Sequence, residues 1–483
     1  MKKMIGVFAI FFLISCTQKQ QESSASSDLP AASVTDNTFK PANIKEQMIY
    51  NRAVDAAIWG IPAVNYQLMF DALAKLKGDY NQIVIWPGLL DWKNQTLTPN
   101  PDVIYLMPFF NTKDAGPVVL EIPPADSGVI NGSIMTYWQN AIEDVGPGGV
   151  DKGKGGKYLF LPPGYDKKKV PAGYIPMPSN TIRRYALLRS VLKSGSAADV
   201  ATAVAYARRI KIYPLSEASK KPAITFIDAS NEIYDSNIPY DNSFYQVLDR
   251  IVQSEPWLER DKAMIDPLKT IGIERGKPFN PDARTKEIFD IAVKEARKWL
   301  EYNYDAIAPF YPGTHWFFPA TEENIKSVKG DFEVPDSYPI DNRGVCYMIA
   351  FFSAKHLGES QYYLMETVDK DGNALDGNTT YKVKVPANVP VKQYWSMTVY
   401  NRDTHTFIRD AKWAGRSSQT PGLKTNADGS VDLFFGPTPP ASGESNWVPT
   451  DPKGKFEILA RFYGPTKNLY DQSWKLTDLE KVK

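Results

Sequence analysis

Cysteine is nearly absent: the chain has two in 483 residues, Cys16 and Cys346. A disulfide-stapled scaffold is therefore excluded. Histidine is almost as scarce, at three (His315, His356 and His405). None stands in an HExxH pattern or four residues from another, which excludes the usual helix-borne zinc motif. No GxSxG elbow occurs, so a standard α/β-hydrolase is disfavoured. An excess of one charge is missing as well. Lys plus Arg number 56 and Asp plus Glu 55, a net of +1, so the basic footprint of a nucleic-acid binder is lacking. The apolar run at 4–12 is too short to span a bilayer.

What is abundant points elsewhere. The chain holds 37 prolines, 26 tyrosines and 11 tryptophans, which means many turns and large aromatic clusters suited to sandwiches and ligand grooves. Its apolar fraction of 43% and charged fraction of 23% are ordinary globular values, and its length suits two or three domains. At the N-terminus, Lys2 and Lys3 precede the apolar run, and Leu13-Ile14-Ser15-Cys16 resembles a bacterial lipobox. That resemblance implies a signal peptide over 1–15, a lipid on the Cys16 sulfur and anchoring in the cell envelope. Thr17, where Asp is the retention signal, favours the outer membrane. Residues 16–42, rich in Gln, Ser, Ala and Thr, read as a flexible tether.

The body begins with helical spacing over 43–59. Gly60-Ile61-Pro62 is expected to end that helix, with Pro62 opening a second one that stops at Gly78. Short β-rich runs follow at 103–110, 118–122, 134–141, 157–161 and 181–191, the pattern of a sandwich or jelly roll. Residues 43–195 thus form N-terminal helices plus a first β domain. Ser196 caps a helix at 197–210, and further helical segments at 242–253, 261–271 and 283–308 make 196–340 a mainly helical connector. Residues 345–355, with Phe351 and Phe352, read as apolar core. From 361 the chain is β again, giving a C-terminal β domain over 341–483. The expected class is α+β, mainly β: two jelly-roll-like β-sandwich domains with a helical N-terminal segment and a helical connector.

Few motifs carry chemistry. Residues 146–157 nearly match a phosphate loop. Gly155 replaces the Ser or Thr, however, and a strand follows instead of a helix, so a hairpin loop is the better reading. Asp369, Asp371, Asn373 and Asp376 resemble a calcium loop without its sixth-place glycine and final Glu, and Asp-Gly there signals a hairpin. His315 reads as a packing histidine. His405, at a strand end with Asn401, is a candidate acid or base. Asn100, Asp102 and Tyr105 either cap a turn or present a carboxylate and a phenol to a cleft. Glu143 and Asp144, beside Trp138, are a carboxylate pair of the kind glycosidic cleavage uses at the right separation. Arg461, a cation in an apolar strand, needs a partner: Asp432 or an anionic ligand.

Two sets of residues carry a family resemblance. One comprises Asp371-Gly372, Leu375, Gly377, Tyr381, Pro386, the run from Trp395 to Tyr400, Asp428-Gly429-Ser430, Phe435-Gly436-Pro437 and Asn446 to Thr450. It resembles the domain of unknown function 1214. The other comprises Trp59-Gly60, Pro62, Pro99-Asn100, Asp102, Tyr105, Gly156-Lys157-Tyr158 and Pro162. It resembles that domain's usual partner, the domain of unknown function 1254. The resemblance implies two jelly-roll-like β domains around helices and assigns no activity. Val103 stands where Thr is usual, and Asn401 where Asp is.

The function expected is that of a lipid-anchored envelope protein that binds or hydrolyses a glycan or small organic molecule in a cleft between its β domains. Asp102, His405 and Arg461 are the catalytic candidates. Asn100, Tyr105, Trp138, Asn401, Asn446 and Trp447 are the substrate-binding candidates. No metal or cofactor is expected. A non-catalytic surface protein is the rival, and a cupin-like metal oxygenase is disfavoured by the shortage of histidines.

Overall fold

Alternation along individual strands sets up the architecture. In Val103–Asn111, Ile104, Leu106 and Phe110 enter a core, while Tyr105 and Phe109 face the other way. The computed structural model describes residues 39–482, apart from 221, 351–353 and 357–360. Cys16, most of the tether, Phe351 and Phe352 lie outside the described residues. No described helix is long and apolar enough to cross a membrane.

The first sandwich has a six-stranded sheet in the order Phe226–Asp228, Gln82–Ile85, Val103–Asn111, Arg183–Val191, Ile130–Thr136, Ala141–Val145. Its partner is a four-stranded sheet, Lys211–Pro214, Val118–Ile122, Gly156–Phe160, Tyr174–Met177. Ile104, Leu106 and Phe110 pack across onto Val118, Leu120 and Tyr158, and Phe110 stacks on Phe160 at 3.9 Å.

The second sandwich pairs Gln361–Glu366, Phe456–Tyr463, Trp395–Asn401 and Gly415–Ser417 with Trp447–Pro449, Val431–Gly436, Tyr381–Val385 and Glu480–Lys481. Met397, Val399, Ile458 and Ala460 meet Val383, Val385, Leu433 and Phe435 between these sheets. Each such buried aliphatic contributes about 1.5–3 kcal/mol against exposure.

The class is thus α+β and mainly β, as the sequence implies. The jelly-roll order is not what these sheets show. Each sandwich contains a parallel pair, such as Val431–Gly436 with Trp447–Pro449 and Gly156–Phe160 with Tyr174–Met177, where a jelly roll is antiparallel.

Three local expectations need correcting. The first helix does not break at Gly60–Pro62; it runs unbroken over Ile44–Lys75. Its centre is buried among other elements, Tyr66 against Phe109 and Tyr185 of the six-stranded sheet. Packing therefore outweighs the roughly 3 kcal/mol cost of an interior proline. Arg343 donates to the Trp59 carbonyl at 2.7 Å, beside the turn that lacks the Pro62 N–H. The 146–157 loop is not a hairpin: it crosses from one sheet to the other, held by Asp151 accepting from Gly146 N at 2.6 Å and Gly155 N at 3.1 Å. The segment read as a helical connector also supplies strands Lys211–Pro214 and Phe226–Asp228 to the first sandwich. Residues 345–350 belong to a helix, Ile340–Ala350.

Candidate functional site

Strand parity builds the site. In Phe456–Tyr463, Phe456, Ile458, Ala460 and Phe462 enter the second core, which leaves Glu457, Leu459, Arg461 and Tyr463 on the opposite face. On the neighbouring strand that face carries Ser396, Thr398 and Tyr400, with Ser396 across from Arg461 and Tyr400 across from Glu457. Tyr363 also lies across from Arg461, and Ser417 across from Ser396. One face of this sheet is therefore polar and aromatic, and residues 98–102 of the first sandwich lie against it.

At one end of the face lies a seam between the sandwiches. Asn100 Nδ2 donates to the Tyr463 hydroxyl at 2.8 Å and to that of Tyr394 at 3.0 Å. Its Oδ1 accepts from Asp102 N at 2.9 Å. The turn cap is thus Asn100, and the Asp102 carboxyl faces the Ser417 and Ser396 hydroxyls instead. Tyr105 hydroxyl accepts from Asn100 N at 3.1 Å and from Arg189 Nε at 3.0 Å.

Arg461 is 2% exposed. It donates to Thr398 Oγ1 at 2.9 Å, the Thr98 carbonyl at 2.8 Å and the Tyr400 hydroxyl at 2.5 Å. The suggested partner Asp432 lies on the other sheet of its sandwich, so neutral oxygens take the carboxylate's place.

Asp102, Arg189 and Tyr363 are each half-buried. Among the described residues, neither Asp102 nor Arg189 closes an ion pair. Burial raises the Asp102 pKa, against the charge of Arg461, the hydroxyls of Ser417 and Ser396 and the charge of Arg416. The guanidiniums of Arg461 and Arg416 thus act on the Asp102 carboxyl, while Tyr105, Tyr363 and Tyr463 surround that of Arg189.

His405 does not join them. It lies beside Glu457, four residues before Arg461, or roughly 13 Å along the strand. His405 is 4% exposed and its Nδ1 meets Glu457 Oε1 at 2.8 Å. The other Glu457 oxygen accepts from the Tyr304 hydroxyl at 2.8 Å. Burial pushes the Glu457 pKa up, but His405, Arg402 and Tyr304 outweigh it and hold the carboxyl below its usual value. An ionised Glu457 fixes the proton on Nδ1. His405 Nε2 is then left without a partner. His405 lines a small cavity of about 120 Å³ together with Asn65, Tyr240, Arg297, Tyr347 and Thr404. The three catalytic candidates therefore divide, with Asp102 and Arg461 at one place and His405 at another.

The other sequence candidates serve structure where they stand. Asn401 Oδ1 caps its turn through Asp403 N and Thr404 N. Asn446 ties Lys424 to Asp432 through both their carbonyls. Trp447 donates to the Gly436 carbonyl at 2.9 Å. Trp138 lies on a separate surface hollow near Arg260, under the Arg343 guanidinium at 4.6 Å. Asp144 accepts from Ser133, Lys355 N and His356 N, and Glu143 meets His356 Nε2 at 3.0 Å. These two carboxylates are engaged by neighbours and do not face each other across a cleft as glycosidic cleavage requires.

Sequence reasoning missed Arg189, Tyr363 and Glu457. The signal was present. Arg189 is a cation in an apolar strand just as Arg461 is, and Glu457 shares the parity of Arg461.

Residues 80–214 match the model of a protein of unknown function, DUF1254, and residues 360–467 match a second, DUF1214. The chain belongs to the family that pairs these two domains. Both contribute to the seam, Asn100, Asp102, Tyr105 and Arg189 from the first match and Tyr363, Ser396, Arg461 and Tyr463 from the second. No curated protein matches the chain. Among solved structures, the VPA0106 protein from Vibrio parahaemolyticus is 18% identical with a TM-score of 0.54, covering 90% of this chain and 100% of its own. The likeness is one of fold. An uncharacterized protein from Burkholderia cenocepacia is 13% identical with a TM-score of 0.41, covering 91% of this chain and 96% of its own.

Proposed function

We propose that this member of the paired family binds a small organic acid, a sugar acid included, in the seam between its sandwiches. The observation that carries the reading is that the half-buried Arg189 guanidinium closes no ion pair among the described residues. A ligand carboxylate on the Arg189 guanidinium supplies the missing charge, and Tyr363, Tyr105 and Tyr463 offer rings and hydroxyls to its body. Asp102, with its raised pKa, is placed to exchange a proton with that body. Asp102→Ala is expected to abolish ligand-dependent stabilisation while the ligand-free Tm stays within about 2 °C of wild type. A large fall in ligand-free Tm points instead to a structural carboxyl.

Hydrolysis is the second reading, favoured by His405. Its Nε2, buried and unpartnered on a cavity wall, is oriented through Nδ1 by Glu457, the arrangement of a general base for water. His405→Ala then removes hydrolysis of a small-ester panel, and unchanged rates sink this reading. For location, the Cys16 lipobox supports an anchored envelope protein; radiolabelled palmitate incorporated by wild type and not by Cys16→Ser is the expected result.

A further inference from the structure

Away from the seam, three ligand-type side chains converge at the edge of the second sandwich. His315 comes from the loop after the helix Ala283–Asp305, Glu366 from the end of Gln361–Glu366, and Asp478 from the C-terminal tail. One ligand atom from each lies within 4.8 Å of the others.

The surroundings make this more than a surface acidic cluster. Glu366 is fully buried, at 0% exposure. Its Oε1 accepts from Leu479 N at 3.3 Å, and its Oε2 has no hydrogen-bond partner. Asp478 is held by His315 N at 2.9 Å and by His315 Nδ1 at 2.7 Å. Lys481, the nearby cation, is spent on Asp369 at 3.3 Å. Two carboxyls and an imidazole thus converge on one spot where a fully buried carboxylate oxygen, Glu366 Oε2, has no partner.

We propose that His315, Glu366 and Asp478 bind a divalent transition-metal ion of the zinc class. One imidazole nitrogen with two carboxylate oxygens is a borderline donor set that suits such ions better than an all-oxygen calcium cage. His315 is only half-buried, which leaves a coordination position open to water on its side. The ion clasps the tail to the sandwich. Trp316 Nε1 already donates to the Thr477 carbonyl at 3.0 Å, and Leu479 packs into the core. Metal binding at such a site adds directly to folding stability.

The test uses the full chain, stripped with a chelator and titrated with Zn²⁺ and separately with Mn²⁺, read by calorimetry and thermal melting. The proposal expects one equivalent to bind at micromolar concentration or tighter and raise Tm by several degrees. His315→Ala should keep the metal-free Tm near that of wild type, since the side chain is half-exposed, and lose at least 100-fold in affinity. Absence of stoichiometric binding overturns the proposal, and so does binding of equal strength in His315→Ala and Glu366→Gln. A Glu366→Gln variant as stable as metal-saturated wild type also overturns it, because a shared proton then fills the role.

Discussion

At the residue scale, burial without a partner separates functional groups from structural ones. Asn401, Asn446 and Trp447 have the right chemistry, but their polar atoms are spent on nearby backbone. Asp102 is spared from closing the turn because Asn100 performs the capping. This division was invisible in sequence. Asn100 and Asp102 are both turn residues there, and only the fold decides which side chain closes the turn. Arg461 was legible as a cation in an apolar strand, whereas its neutral partners come from residues more than sixty positions away. Cys346 illustrates the opposite case, a reactive group silenced. Burial pushes its thiol up to about 12, so the native protein is expected to resist a thiol reagent at pH 8 and to react only on unfolding. Rapid labelling of Cys346 in the native state argues against that burial.

At the element scale, strand parity was the strongest sequence signal, and its incomplete use explains the omissions. Applied fully to Phe456–Tyr463, it sets Glu457 and Arg461 on one face. The proline in Ile44–Lys75 misled because local preference ignores what surrounds a helix, and here sheet and helices enclose it. Element junctions also hold a pH-sensitive contact. Glu255, after the helix Ser243–Ser254, accepts from Ile182 N at 2.9 Å and Arg183 N at 3.2 Å, where the strand Arg183–Val191 begins. Burial raises its pKa from 4.5 to about 7. Between those values the folded chain keeps a proton that the unfolded chain has lost. Stability from this group therefore falls as pH rises from 4.5 to 7, by roughly 3 kcal/mol in all. Glu255→Gln is expected to flatten that part of the stability–pH curve, and urea melts across the range measure it. An unchanged slope places the titration elsewhere.

At the scale of the whole molecule, two β blocks joined by helices were legible because turn residues punctuate β-rich runs of strand length. The parallel pairs that depart from a jelly roll were not legible, since pairing partners far apart in sequence leave no periodic trace. A cleft between the β domains was expected, but not that it forms where the outer face of one sandwich meets the chain preceding Val103–Asn111 of the other. Residues from both matched domains build it, which gives a physical reason for the two to occur in one chain. Titration calorimetry with a panel of small organic acids and sugar acids, run on wild type and on Arg189→Gln, examines that reading. A panel member should bind wild type at micromolar concentration and lose at least 100-fold in the variant, with ligand-free Tm unchanged. Equal affinity in the two proteins, or no binding by any acid, means the seam is not the ligand site.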